Sequence, residues 1–442
     1  MTAGKYYNYV YTDQKLTQAF EYDAVISNEN VTEKTFVCSI SYFYDEDEQL
    51  TKTVTAFADG TKRELFYSDT ENGTRLLKFK VRSDLPQVTL RSKTDSLGRH
   101  EFDSISLGAG YLNRNFFYHN GVYTAEHSSN EKILSQPTTN LVSRIDYTNA
   151  FEGGFSLLYE YDNEERITKV TEQNGETVNV TEYTYDALGQ LLTEKVNGEV
   201  INTMTYDGYG NILTKNNIPY TYDSVWKDKV TAIGNNSVSY DNQGNPLNYL
   251  GHNLTWEKGR QLKSFDTNTY TYNANGIRTS KTINGITYKY ILDGIKVLRQ
   301  EWTEFEYGYS EAYAIEPIYD NNEIKGIIYS STHRDAESYY FVKNLQGNVI
   351  AIADKGGSIV AKYSYDAWGK CIITEDGSGN NIASINPYRY RSYYYDSEID
   401  MYYLQSRYYD ANIGRFINAD NPEFAKIPEN ILMHNLFAYC CK

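Results

Sequence analysis

Apolar and polar residues alternate with a period of two over many short stretches of this chain. That is the spacing of strands with one packed face and one wet face. Val31 to Tyr44 is an early example, rich in β-branched and aromatic residues. From about residue 155 the alternation halts at recurring points: Tyr161-Asp162, Tyr185-Asp186, Tyr206-Asp207, Tyr222-Asp223 and Tyr240-Asp241. Trp256-Glu257 and Tyr272-Asn273 stand in the same role. Successive Asp-equivalent positions are 24, 21, 16, 18, 16 and 16 residues apart, and such self-similarity marks a repeat architecture.

The clearest copies are Tyr183-Thr-Tyr185-Asp186-Ala-Leu-Gly189 and Tyr363-Ser-Tyr365-Asp366-Ala-Trp-Gly369. Two Tyr at i and i+2 share a strand face. An Asp side chain can accept a bond from the backbone two residues on, and a Gly three residues later can turn left-handed. Each unit therefore predicts a hairpin whose Tyr pair stacks on its neighbours. The expected class is all-β: repeated hairpins wound into a spiral sheet, with few helices. A short turn within 423–434, interrupted by Pro428, is the one helical exception expected.

The expected organisation is a divergent β-rich segment over 1–150, a repeat region over 151–338 and a distinct C-terminal region over 339–442. In the first segment, Phe57–Gly60 and Glu71-Asn72-Gly73 read as turns, and Thr94-Asp95-Ser-Leu-Gly98 as a degenerate repeat.

Composition sharpens this reading. The chain has 442 residues, with 45 Tyr against 17 Phe and only 8 Pro, which suits half-wet sheets. A net charge of −16 disfavours the nucleic-acid backbone as a partner and favours a basic polypeptide. Cys38, Cys371, Cys440 and Cys441 show no C-x-x-C spacing, and the six His are dispersed. Neither a metal site nor any cofactor is indicated. No apolar run suggests a membrane span, and the N-terminus carries no recognisable export signal.

The densest copy of the pattern runs from Tyr388 to Asp420. It holds Tyr395-Asp396, Tyr402-Tyr403-Leu404-Gln-Ser-Arg407-Tyr-Tyr409-Asp410 and Gly414-Arg415-Phe416. With Asn344-Leu-Gln-Gly347-Asn348 upstream, these residues resemble the YD (RHS) repeats and the RHS repeat-associated core of bacterial polymorphic toxins and teneurin-like proteins. The resemblance covers roughly residues 155–439. It implies a hollow β-shell that encloses a toxic C-terminal segment or presents an adhesive surface, in proteins usually exported or cell-surface. It also implies partners: an upstream shell segment or a cargo toxin polypeptide.

In that family an Arg and an Asp about 13 residues later, here Arg407 and Asp420, contribute to self-cleavage. They act with a second Asp in a D-P-x-G motif that this sequence lacks. The expectation is therefore a vestigial pair and no catalysis, with Tyr388–Tyr403 as the last of the wall. The alternatives are a self-cleaving aspartic protease core and a cell-surface or carbohydrate-binding adhesin using exposed Tyr-rich faces.

Overall fold

The computed structural model describes residues 2–27, 30–70, 74–80, 87–95, 97–106, 111–117, 131–136, 138–147, 154–306, 308–320, 322–420 and 435–439. The turn expected at residues 72–73, the helical turn within 423–434, His119, His127, His434, Cys440 and Cys441 lie outside the described residues.

Thirty-three strands, from Thr2–Thr12 to Cys371–Asp376, join in one sheet. Consecutive strands pair antiparallel as a meander, except that Glu131–Ser135 runs parallel to Tyr111–Phe117. Among the described residues helix is confined to Ile382–Ile385 and a 3₁₀ turn at Tyr390–Ser392.

The repeat works through one local device. Asp162, Asp186, Asp207, Asp241 and Asp366 each accept, on Oδ1, the N–H groups two and four residues on. Asp223 holds Val225 and Trp226 instead. The third residue on is a glycine at positive φ after Asp186, Asp207, Asp241 and Asp366, 81° at Gly189 and 91° at Gly369, where a side chain would be strained; after Asp162 it is Glu165, at 63°. The register shifts by one residue just before Tyr161, Tyr185, Tyr206, Tyr222 and Tyr240, and such bulges add twist.

The tie between hairpins that recurs is a hydrogen bond, where the pattern alone suggests ring stacking. Tyr161, Tyr185, Tyr206 and Tyr222 donate their hydroxyls to the carbonyls of Val142, Ile167, Leu191 and Ile212 at 2.6–2.8 Å. Trp256 Nε1 does the same to Pro246 O. A phenylalanine would fill the space at these four positions without making the bond.

Two layers cover the strands between 286 and 353. On one face Ile318, Ile328 and Tyr340 pack against Leu77, Val88 and Leu90. Arg63, 2% exposed, donates to Leu298 O and Pro317 O. On the other face Ile327, Tyr329 and Phe341 pack against Ile382, Tyr388 and Tyr394. Burial on both faces explains the near-continuous apolar runs at Gly326–Tyr329 and Tyr339–Val342.

The segment after Asp376 departs from expectation. Tyr388–Tyr403 does not extend the wall. Tyr394–Asp396, Met401–Leu404, Arg407–Asp410 and Arg415–Phe416 form a separate four-stranded sheet. Met401, Tyr408, Ile413 and Ile417 share one core with Tyr220, Val238, Leu254 and Tyr270 of the wall. Tyr402, Tyr409 and Phe416 form another with Tyr390. Both faces of the small sheet carry large side chains, so it is stable only with both covered. It sits against the wall as a plug.

Candidate functional site

Three carbonyls of a single repeat turn receive the plug. Ala367 O, Trp368 O and Gly369 O accept the hydroxyls of Tyr390, Tyr409 and Tyr402 at 3.2, 2.7 and 2.8 Å. Behind them Asp366 Oδ2 accepts Asn202 Nδ2, which also bonds the buried Glu194. Gly414 closes its own turn through an N–H bond to Asp410 O and lies against Trp368.

A second anchor is ionic. Asp396 is fully buried and, unlike the repeat aspartates, turns its carboxylate to the wall. It accepts Arg278 at 2.5 and 3.0 Å and Lys281 at 3.0 Å, and Lys281 continues to Glu398. Burial alone would raise the Asp396 pKa, but the two cations hold it below its ordinary value. Glu398 moves up, through burial and the charge of Asp396. The Arg278 guanidinium is also surrounded by aromatic rings, with Tyr403 at 4.2 Å and Tyr394 at 5.0 Å.

Sequence reasoning missed Arg278, yet a signal existed. The residue opposite the repeat aromatic is Ile167, Leu191, Ile212, Val230, Pro246 or Leu262 in successive hairpins, and Arg278 in the next. A cation in a run of apolar core positions needs a buried partner.

Asp410 combines both roles. Its Oδ1 accepts Asn412 N, and its Oδ2 accepts the buried Tyr249 hydroxyl from the wall at 2.9 Å. Burial raises its pKa.

Arg407 and Asp420 do come together, at 2.9 Å. The guanidinium lies 3.6 Å from the centre of the Phe416 ring and donates to Leu436 O, which also accepts Asp420 N–H. Asp228 accepts Leu436 N–H from the other side. Arg415 bonds Tyr222 and Asp228 O. The pair thus grips the backbone of Asn435–Tyr439 as part of a clamp. Among the described residues no group of three or more His, Cys, Asp or Glu is placed to hold a metal ion, and no helix is long and apolar enough to cross a membrane.

Beside the plug lies an open cavity of 1660 Å³. It is lined by residues between 155 and 212, between 344 and 350 and between 362 and 375, with Tyr390, Arg391, Gly414 and Arg415. Tyr183, Tyr185, Tyr206, Tyr365 and Tyr390 line it. Its acids (Glu164, Glu165, Glu172, Asp366, Glu375) are equal in number to its bases (Arg166, Lys362, Lys370, Arg391, Arg415). Ala438 and Tyr439 border the cavity, and the Tyr439 ring stacks on Tyr409 at 3.9 Å.

The model of the Teneurin YD-shell family matches residues 115–440. The chain belongs to this family. Among relatives of this YD-shell chain, the tRNA nuclease WapA of Bacillus subtilis (strain 168) is 30% identical over 257 residues, 53% of the chain and 10% of that protein. The double-stranded DNA deaminase toxin A of Burkholderia cenocepacia (strain H111) is 22% identical over 360 residues, 76% of the chain and 23% of that protein. The YD-shell chain therefore spans only a tenth to a quarter of these two relatives. In the crystal structure of TcdB2-TccC3-TEV a similar fold covers 98% of the chain and 26% of that one, with a TM-score of 0.53 at 14% identity. The YD shell is thus the fold these bacterial toxin proteins share with this chain.

Proposed function

We propose that this chain is a length of shell wall with its own plug, serving to enclose or escort a toxin-type polypeptide that follows Tyr439, with no catalysis of its own. One observation carries this: the clamped Asn435–Tyr439 segment delivers the chain to the wall of the 1660 Å³ cavity. That volume exceeds the roughly 300–1,000 Å³ of small-molecule sites, so it suits a stretch of polypeptide. The balanced lining charges do not favour a basic cargo over a neutral one.

The test is to append an unstructured, trypsin-sensitive polypeptide after Lys442. Its cleavage is expected to slow by about tenfold or more relative to the same segment alone, as local access becomes limiting. Equal cleavage rates would refute enclosure.

Arg407 and Asp420 are read as structural. The purified chain is expected to keep its full mass of 50.9 kDa, and Asp420→Asn likewise to give no shorter product. A shorter product in the parent that disappears in Asp420→Asn would restore the protease reading.

A further inference from the structure

We infer that the strand Cys371–Asp376 is an acceptor edge, on which an extended stretch of the enclosed polypeptide adds as the next strand of the sheet. This rests on the enclosure reading and specifies how the guest is held.

The strand pairs with Ile359–Tyr365 on one side, and among the described residues no strand pairs with its other side. Its outer row of N–H and C=O groups is a ready template. Its partner Ile359–Tyr365 buries Ala361 and Tyr363, whereas this strand is exposed from Ile372 through Asp376. Ile372 and Ile373, on opposite faces, are 57% and 38% exposed. Among the described residues, then, this strand has apolar side chains bare on both faces and no strand on its second edge.

Location selects the neighbour. Ile372 and Thr374 border the cavity, and Thr181, Val196 and Ile201 also line it. The other end of the sheet, Thr2–Thr12, also pairs on one side only, but none of its residues borders the cavity. The strand thus borders the same cavity that Ala438 and Tyr439 border. Strand addition would supply main-chain bonds independent of sequence, while Ile372 and Ile373 favour β-branched or apolar side chains. The matched lining charges ask for little net charge. The occupant is therefore an extended, β-branched, near-neutral segment.

The probe is a labelled peptide of alternating Val and Thr, with one Lys and one Glu for solubility, added to the intact chain. It is expected to bind and to slow amide hydrogen exchange at residues 371–376 by about tenfold or more. The same peptide N-methylated at alternate residues should bind at least about tenfold more weakly, because one edge of its backbone can no longer donate. Equal binding of the two peptides, no binding of either, or unchanged exchange at 371–376 with the peptide bound would each overturn the edge assignment. The appended-segment experiment separates the two readings. Continued trypsin protection with a silent edge removes this inference alone, whereas loss of protection removes enclosure itself.

Discussion

Replacing Asp396 with alanine is expected to lower the free energy of unfolding by about 3–5 kcal/mol, the usual loss when one partner of a buried ion pair is removed. Arg278 is 2% exposed and Lys281 6%, so neither cation can reach water without moving the plug. After the substitution Glu398 would still hold Lys281, but Arg278 would lose both of its bonds to Asp396. The aromatic rings around Arg278 offset part of the loss, at roughly 0.5–2 kcal/mol. A shift of the urea midpoint at unchanged slope is the readout. A loss under about 1 kcal/mol would contradict the anchor.

The pH dependence has a defined sign. The folded-state pKa of Asp396 is depressed, so its contribution is present above the unfolded value of about 3.9 and disappears as pH falls through the folded value. Glu398 is raised and works the other way, since protonating it on mild acidification favours the folded state. The parent chain should therefore hold or gain stability slightly between neutrality and about pH 5, then lose it steeply below about pH 4. The Asp396→Ala variant should lack the part of that acid limb which belongs to Asp396.

Gly369→Val is the second large effect, and Gly357→Val is its control. Both glycines close the same kind of Asp turn, at φ 91° and 85°. A left-handed conformation costs an ordinary residue about 1–2 kcal/mol, and at Gly357, with nothing within 4 Å of the new Cβ, that is the whole expected loss. At Gly369 the added Cβ would lie 2.5 Å from the Tyr390 ring. Tyr390 cannot retreat, because its hydroxyl is tied to Ala367 O and its ring packs on Tyr402. Overpacking adds about 1–3 kcal/mol, for a total of roughly 2–5 at this position. Equal losses at the two glycines would mean that the 367–369 turn does not seat the plug.

These two effects show where sequence and structure part. The Asp turn is written locally. Asp186 and Gly189 need only the five residues from Asp186 to Gln190 to close their bonds, so short-range pattern suffices to read the hairpin, its period and the all-β class. The Tyr excess was legible as a strand preference, but its hydroxyl-to-carbonyl ties run between hairpins 10 to 19 residues apart, and no one-dimensional spacing shows them.

Asp396 and Asp410 carry the same Tyr-Asp signature as the wall, yet their carboxylates meet Arg278 and Tyr249, 118 and 161 residues away. Sequence alone therefore determined the unit and its repetition, because hairpin closure is a contest among neighbouring backbone groups. Only the tertiary structure decided that the last Tyr-Asp units leave the wall to fill it. With large side chains on both faces, those strands bury their surface only where two layers already wait, and that enclosure is a property of the whole wound sheet.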